Sequence, residues 1–499
     1  MSQDPTFELI QSLSPNEKRF FRLQSGAEKN YLHVFDALDA MKEFDPEALK
    51  KKLKKKKLNI SYEKNYLYNQ ILKSLRIYHT EASVKSRARA ALDYVDVLIQ
   101  KGLYEQAMRV LKKNETVFET YENFPNLIAL HDYEEAILHR TDGLNTPDAG
   151  AGFYGKRTET LGKMQNLIDY RLLERQMISL HHHSQFSISR EKLQKIKKHR
   201  LLLEDKSQSF DAKFRYFQVN AMIAIYEHDY KKEAMWFREI IALINAHPEI
   251  KEAYYKIYYV VALHNYINAC FICNDFTEAE KVIGELKQLD EAAGYKQAEL
   301  HCYALMDEAS LYTQMGEPQK GAGVLTTMLE TLKQTQISDY SRSLLAYATA
   351  LVFFMNRQYR ESAKTLQTLI DEMKNSEYKD RQAFARVVLL INYYEMGKFD
   401  MIDYILNSTQ RFLKINDRYY KTEKAMLSFF KKAAMQHTVD IAEVEKLKTT
   451  LQQIFSDEEE ASLLFLFDFI AWVDSKILGL PFAQVVAAQV KKLKQQGIR

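Results

Sequence analysis

Apolar positions recur along this chain at a spacing that predicts pairs of α-helices. A short turn motif, in which a small or polar residue and a polar residue precede an aromatic residue or proline, occurs six times. These turn residues are Tyr104, Tyr230, Phe276, Pro318, Tyr359 and Phe399. From Tyr230 onward they are 46, 42, 41 and 40 residues apart, and the gap from Tyr104 to Tyr230 is 126 residues. We therefore predict an internal repeat with a period near 42.

Positions at fixed distances from the turn residues share one chemical character. Nine residues before them lie Val95, Ala221, Ile267, Ala309, Ala350 and Leu390, and seven residues after them lie Leu111, Phe237, Ile283, Leu325, Leu366 and Leu406. Positions three or four apart lie on one face of a helix, so each unit is predicted to be a helical hairpin. One hairpin cannot bury its apolar face alone, which predicts a stack of hairpins with a concave side.

The repeat is predicted to continue to the C-terminus and to weaken near the N-terminus. Two further units are predicted over residues 417–455 and 457–496, the second with its turn at Gly479-Leu480-Pro481. Residues 122–206 match the period only by counting, and within them residues 142–156 are predicted to form a long loop. The repeat array is therefore assigned to residues 87–497.

Residues 1–86 lack the turn motif and are predicted to form a separate helical module. Pro15 follows Ser14 and Pro46 follows Asp45. Proline is favoured in the first turn of a helix, where its missing N–H is not needed, so both positions predict helix starts.

Composition also favours helices over strands. Glycine and proline number only 15 and 8 among 499 residues, although turns between strands require them. A globular chain of this length would divide into several domains, whereas a repeat array can grow without one central core. We predict an all-α chain.

The turn pattern and its small residues resemble tetratricopeptide repeats over residues 87–497. That resemblance implies a right-handed superhelix of stacked antiparallel hairpins, with longer helices than the standard repeat. The whole chain also resembles uncharacterised repeat proteins of Bacteroidetes, through Leu13-Ser14-Pro15-Asn16-Glu17-Lys18-Arg19-Phe20-Phe21 and a stretch over residues 64–76. Those proteins bring no known activity.

If the resemblance holds, the first helix of each unit lines the concave side and contacts a peptide. The expected contact row lies twelve residues before the turn residues, with two polar neighbours. It comprises Gln218, His264, Met306, Tyr347 and Val387, together with Arg215 and Asn268. The expected function is a non-catalytic scaffold that binds a peptide or a partner helix.

Three motifs have the spacing of catalytic or ligand-binding sites, but we interpret them as loop, packing or surface residues. Gly150-Ala151-Gly152-Phe153-Tyr154-Gly155 has nucleotide-binding spacing, but no strand is predicted before it, so we interpret it as loop. Cys270, Cys273 and Cys302 are interpreted as packing thiols, and His181-His182-His183 as surface. No catalytic motif is recognisable, and we predict neither an enzyme, a cofactor nor a metal.

Positive charge is concentrated in the N-terminal module. Residues 1–90 hold 18 Lys and Arg against 11 Asp and Glu, or +7, while the whole chain carries +4. Seven lysines, Lys50, Lys51, Lys52, Lys54, Lys55, Lys56 and Lys57, lie within eight residues. Such a field attracts nucleic acid, anionic lipid or an acidic protein. The alternative function is a regulator with a nucleic-acid-binding module and a ligand- or partner-sensing repeat domain; the plainer interpretation is a solvated helix face.

Cysteine content and hydropathy bear on the compartment. Three cysteines without a paired framework favour a reducing environment, so we expect a cytoplasmic protein. The longest apolar stretch, residues 463–473, is interrupted by Asp468 and is shorter than the roughly 20 residues of a membrane helix, so no span is predicted. The oligomeric state is left open.

The alternative function makes a prediction about salt. If residues 1–86 contact phosphates, binding of the full chain to single- or double-stranded DNA should fall steeply between 50 and 200 mM salt, by roughly a thousandfold for six or more contacts. Gel shifts at several salt concentrations measure this loss of affinity, for the full chain and for a variant in which the seven lysines of residues 50–57 are changed to glutamine. Equal retardation of the two proteins, or none at low salt, would count against it.

Overall fold

The computed structural model of this protein describes residues 4–26, 29–53, 59–80, 84–141, 147–183, 190–293, 298–333, 337–373, 379–416, 420–437, 440–457, 460 and 466–495. These residues form α-helices and one π-helical turn, Lys251–Tyr255, and they contain no strand. The prediction of an all-α chain is confirmed. The chain divides into two compact units, Met1–Met164 and Gln165–Arg499.

The first unit begins with short helices and continues with longer ones. Its helices are α1 (Pro5–Ser12), α2 (Pro15–Ser25), α3 (Asn30–Asp39), α4 (Pro46–Leu53), α5 (Ile60–Thr80), α6 (Val84–Gln100), α7 (Tyr104–Thr120) and α8 (Phe124–Arg140). Both predicted helix starts are confirmed. Ser14 and Glu17 form a reciprocal capping box in front of α2, and Asp45 Oδ1 accepts hydrogen bonds from the first N–H groups of α4.

Helices α1 to α5 share an apolar core of their own. Phe21 of α2, Phe35 of α3 and Ile71 of α5 are at most 2 % exposed within it. These helices fall within the module predicted for residues 1–86, but they belong to the larger unit Met1–Met164. The boundary after residue 86 stays a prediction.

The division between the units falls within the longest helix, α9 (Pro147–His183). The helices that follow α9 in the second unit are α10 (Arg190–Lys197), α11 (Arg200–Leu203), α12 (Phe210–Tyr226), α13 (Tyr230–Asn245), α14 (Pro248–Ile250), α15 (Lys256–Ile272), α16 (Phe276–Ala293), α17 (Ala298–Met315), α18 (Pro318–Leu332), α19 (Asp339–Met355), α20 (Tyr359–Glu372), α21 (Lys379–Glu395), α22 (Phe399–Ile415), α23 (Lys421–Gln436), α24 (Ile441–Ile454), α25 (Phe469–Leu478) and α26 (Phe482–Gln495). From α12 to α24 they pack in series as stacked hairpins, and the second helix of each hairpin also contacts the first helix of the next.

One turn geometry joins the two helices of six hairpins. Each predicted turn residue is the first residue of a helix. The residue two positions earlier is left-handed, with φ between 53° and 74°, and these residues are Gly102, His228, Asn274, Gly316, Arg357 and Gly397. In every case the next N–H donates to a carbonyl five residues back at 2.8–3.0 Å, which satisfies the end of the first helix. The turn motif is therefore a helix C-cap, in which glycine is favoured but not obligatory.

The apolar register corresponds to buried positions. The six residues nine before the turn residue are at most 1 % exposed, and the six residues seven after it are at most 9 % exposed. Both helix faces predicted to pack are thus buried. The right-handed twist and the period near 42 stay predictions.

The long loop predicted over residues 142–156 is wrong in its second part. Helix α9 begins at Pro147, so the backbone of residues 147–156 is helical, while residues 142–146 lie outside the described residues. Pro147 fits the first turn of a helix, and glycine costs a helix only about 1 kcal/mol per residue. The glycine-rich segment 150–155 therefore lies in a helix and not in a loop.

Segment 122–206 also contains a turn that the motif did not reveal. Glu122 has φ 49°, Asn123 N–H donates to Phe118 O at 2.8 Å, and α8 begins at Phe124. This is the same cap at a glutamate, where the sequence carries no glycine or asparagine to indicate it.

Glu233 of α13 is a buried carboxyl group in the second unit. It is 6 % exposed, and burial raises its pKa to about 8. The folded state therefore disfavours the charged carboxylate. Stability from this group is complete below the ordinary pKa of glutamate and is lost as the pH rises through about 8.

Glu233→Gln should flatten this pH dependence. Between pH 5 and pH 9 the wild-type protein should lose roughly 1–3 kcal/mol relative to the variant, because glutamine does not ionise. Thermal unfolding across that range measures the difference. Glu239→Gln is the matched control, since Glu239 is exposed on the same helix. Equal pH profiles for wild type and Glu233→Gln would contradict the prediction.

Candidate functional site

Helix α25 packs mainly against α24, and its side chains reach α21 and α23, while α26 folds back onto α17. We call residues 466–495, which include α25 and α26, the C-terminal hairpin. Tyr347 of α19 donates from its hydroxyl to the Leu466 main-chain carbonyl at 3.2 Å, across 119 positions of sequence. Helix α26 contacts α17, and Phe467 contacts Phe354 of α19. The hairpin therefore covers the same side of α17 and α19.

Trp472 anchors the first helix of the C-terminal hairpin. It is 1 % exposed and lies against Tyr394, Phe429 and Phe430, with ring centroids 5.6–6.1 Å apart. Its indole N–H donates to Glu395 Oε1 at 2.7 Å. Lys476, one turn later, contacts the other Glu395 oxygen at 2.7 Å. This places a large ring in an aromatic pocket with its polar atom paired, as at the centre of many protein interfaces.

Three phenylalanines connect α19 to the segment before α25 and to the start of α26. Phe354 lies 5.4 Å from both Phe467 and Phe482, whose own rings are stacked 5.3 Å apart. Beside them a cavity of about 100 Å³ remains between α26 and the ends of α17 and α19. The packing beneath α26 is therefore incomplete.

Helix α26 passes very close to the turn between α17 and α18. A Cβ atom added to Gly316 would lie 2.4 Å from Ala483 O and 2.5 Å from Ala487 N. Gly316 is also left-handed, with φ 70°. Glycine is required here for the approach of another backbone, and the left-handed turn also favours it.

Helices α19 and α21 are buried on every side over part of their length. Residues 345–350 of α19 and 387–392 of α21 are each an unbroken run of six buried residues, more than one full helical turn. By contrast, α15 keeps a half-exposed face with Val261, Asn265 and Asn268. A mostly apolar helix segment is favourable only where it is covered on every side. The C-terminal hairpin supplies part of that cover.

The structure distributes the predicted peptide-contact row between buried and half-exposed positions. His264, Met306, Tyr347 and Val387 are at most 8 % exposed. Arg215, Gln218 and Asn268 are half-buried. Only Tyr347 contacts a peptide group of the C-terminal hairpin. With the C-terminal hairpin in place, a peptide could contact only the three half-buried polar residues of this row.

Arg215 belongs to a network of charged groups that joins three helices. It contacts Glu174 Oε1 at 2.6 Å and Asp211 Oδ1 at 3.0 Å, and Arg171 contacts Asp211 Oδ2 at 2.6 Å. Tyr255, the last residue of the π-helical turn, donates to Asp211. Burial alone raises the pKa of Asp211, but the charge of Arg215 and the bonds from Tyr255 and Arg171 lower it overall. The network holds Arg215 in place as part of the fold.

His264 is paired within the array. Its Nδ1 lies 2.7 Å from Asp307 Oδ1, and Asn268 Nδ2 lies 3.0 Å from its Nε2. Burial raises the pKa of Asp307 although His264 acts to lower it. With an amide donor at Nε2, the neutral ring would donate from Nδ1 to Asp307. The contacts of His264 and Asn268 thus fix two residues of the predicted row to each other.

The cysteines have the environment of packing residues. Cys270 and Cys302 are buried, and burial raises the pKa of each thiol to about 12. Cys302 Sγ also donates to Ser341 O at 3.4 Å. Thiols with raised pKa values are poor nucleophiles and poor metal ligands at neutral pH.

Other candidate groups are only partly described. The backbone of His181, His182 and His183 lies in α9, but their side chains are outside the described part of the structure. Where the structure is described, no three His, Cys, Asp or Glu side chains come close enough to hold a metal ion.

The lysine run is described only at its beginning. Lys50, Lys51 and Lys52 are exposed at the end of α4, and Lys50 pairs with Glu47 at 2.8 Å. Lys54, Lys55, Lys56 and Lys57 lie outside the described residues. Tyr62 and Tyr66 are exposed in α5, with their rings stacked 6.4 Å apart. Nucleic-acid binding by this module stays a prediction.

Comparison with known protein families and with curated proteins finds no match for this chain. In the described residues no single helix is long and apolar enough to span a membrane. The pair Phe469–Leu478 and Phe482–Gln495, bent by 112°, meets those criteria of length and composition only when the two helices are taken together.

Gly316→Ala should loosen α26. The added Cβ would clash with Ala483, whereas Gly397→Ala adds a methyl group at nearly the same φ, 67°, with open space around it. Both variants should lose about 1–2 kcal/mol from the left-handed turn. Only Gly316→Ala should also show faster trypsin cleavage at Lys491 and Lys492, measured by mass spectrometry under native conditions. Equal cleavage of the two variants would contradict the close approach.

Proposed function

We propose that this protein is a non-catalytic scaffold whose second unit binds a helical segment of a partner protein. The binding surface is formed by α17, α19, α21 and α23 on the side covered by the C-terminal hairpin. The proposal follows from the contacts of that hairpin, which has the properties of a bound helical ligand.

The observation that carries the proposal is the contact of Tyr347 with Leu466. Tyr347 belongs to the row expected to contact a peptide, and it donates to a main-chain carbonyl at 3.2 Å. A main-chain contact of this kind does not depend on the side chain of the ligand. It supports a surface that accepts a segment of polypeptide, here supplied by the same chain.

The pocket of Trp472 supports a helix as the ligand. An aromatic anchor in a desolvated pocket, with its N–H paired to a carboxylate, is a common energetic centre of protein interfaces. Lys476 lies one helical turn after Trp472 and contacts the same Glu395. Two contacts four residues apart to one carboxylate match the spacing of one helical turn.

The half-buried residues Arg215, Gln218 and Asn268 extend the proposed surface toward the start of the second unit. They lie on α12 and α15. We keep them as proposed contacts for the polar part of a partner. The proposed location is cytoplasmic.

A split chain tests whether this surface binds a helical segment supplied separately. Residues 1–457 and residues 460–499, expressed together as two polypeptides, should co-purify. Trp472→Ala in the short fragment should cost roughly 3–5 kcal/mol, which weakens the dissociation constant by at least a hundredfold. Titration of the labelled short fragment measures this.

Leu478→Ala is the matched control, because Leu478 lies on the same helix and is 59 % exposed. It should leave the affinity within twofold of the unchanged fragment. The proposal fails if the two polypeptides do not associate, or if Trp472→Ala associates as well as Leu478→Ala.

A further inference from the structure

Helix α26 is held to the second unit by small apolar side chains. Its buried residues are Ala483, Val485, Val486 and Val490, and Phe482 is half-buried. Within the described residues, no ion pair or side-chain hydrogen bond joins α26 to another helix. Helix α25, by contrast, has Trp472, Lys476 and their shared carboxylate. Because the free energy of local opening depends on the interactions that opening breaks, α26 should open at a lower free energy than α25.

The turn between the two helices allows one to leave while the other stays. Gly479 ends α25 in a left-handed conformation, and Pro481 precedes α26. The helices are bent by 112° at this turn, so α26 does not continue the axis of α25. Movement of α26 about this turn would expose Ala471 of α25, which packs against Val485 and Val486. It would leave the contacts of Trp472 and Lys476 with Glu395 in place.

The surface under α26 selects small residues at two positions one turn apart. Ala483 O and Ala487 N both lie within 2.5 Å of a Cβ placed on Gly316. Alanine or glycine four residues apart on one face of a helix permits such a close approach. A helix with larger residues there would be pushed away from the turn.

The same surface has room for more apolar volume than α26 supplies. The cavity of about 100 Å³ is half-open, with an apolar wall that includes Phe276, Phe354 and Val490 and a polar wall that includes Gln314 and Asp468. A helix that carries leucine where α26 carries valine would make more contacts with the apolar wall. Added apolar contacts strengthen packing, so such a helix should bind this surface more tightly than α26 does.

We propose that α26 is an internal competitor that occupies the site of a partner helix. The partner is an amphipathic helix with alanine or glycine at the two positions that pass Gly316 and with leucine-sized residues facing the cavity. This inference rests on the proposed function, and it adds that the site is closed until α26 is displaced. A tethered helix competes at an effective concentration on the order of millimolar, so a weak contact suffices to keep the site closed.

The test uses the full chain and a fluorescein-labelled peptide of residues 480–495. Val486→Asp in the chain places a charge under α26 and should release it, and the peptide should then bind. Wild type should bind the peptide at least a hundredfold more weakly, because its own α26 competes. Gln484→Asp is the control, since Gln484 is exposed on the same helix and the charge change is equal. Val490→Asp repeats the test at a second buried position.

Two further variants test the chemistry of the site. A peptide with Val490→Leu should bind the Val486→Asp chain several-fold more tightly than the unchanged peptide. A chain with both Val486→Asp and Gly316→Ala should not bind either peptide, whereas the pair Val486→Asp and Gly397→Ala should bind both. Trypsin cleavage at Lys491 and Lys492 reports release of α26 independently of peptide binding.

Each other outcome overturns a defined part of the inference. If wild type binds the peptide as well as Val486→Asp does, α26 is not a competitor. If neither aspartate variant becomes more sensitive to trypsin, α26 is not displaceable. If α26 is released but no peptide binds while the split chain still associates, the α26 site is wrong and the proposed function stands. If the split chain also fails to associate, both are wrong.

Discussion

Helices α19 and α21 are each buried on every side for more than one helical turn, and several parts of the second unit contribute to covering them. In an open stack of hairpins a first helix packs against its partner and its neighbours, and its remaining face meets water. Exposing that face would cost about 25 cal/mol for each Å² of apolar surface. The C-terminal hairpin removes this cost by folding back. Trp472, Phe354 and Gly316 are the points where its fit to the stack is closest.

The two helices of the C-terminal hairpin are held by different kinds of contact. Around Trp472 the contact depends on one large ring and a shared carboxylate, so its strength is concentrated at a few atoms. Under α26 it depends on small side chains and on backbone proximity, and a cavity remains. The contacts of Trp472 hold α25 in one position. The weaker packing of α26 would allow another helix to replace it. Both properties favour an interaction surface over a purely structural lid.

The sequence predicts the local features well because their causes are local. A left-handed cap followed by an aromatic residue needs only about ten residues to form, so Tyr230 and Phe399 could be assigned as helix starts without a structure. The start of α9 was not predicted, because the glycines of residues 142–156 favour a loop, although Pro147 is suited to the first turn of a helix. The buried register was predictable from spacing alone. Glu122 is left-handed, but glutamate is not a residue type that predicts this conformation.

The fold-back could not be predicted, because Tyr347 and Leu466 are 119 positions apart and no pattern relates them. One signal was present in the sequence: the middle of α19 and of α21 is rich in apolar residues, which favours cover on most of their faces. Tyr347 is buried and contacts Leu466 of the C-terminal hairpin, whereas His264 is buried by contacts with Asp307 and Tyr303 inside the array. The contact of Tyr347 with a distant part of the same chain was not predictable from the sequence.

Gly316 also connects two stretches of sequence that could otherwise change independently. The equivalent turns hold histidine, asparagine or arginine as well as glycine, so this backbone conformation alone does not preserve glycine through evolution. At Gly316 the approach of Ala483 adds a second constraint. Related chains that keep a helix like α26 should retain glycine here and small residues opposite it. Lineages that have lost that helix should accumulate other residues at this turn, so the two sites should be gained and lost together.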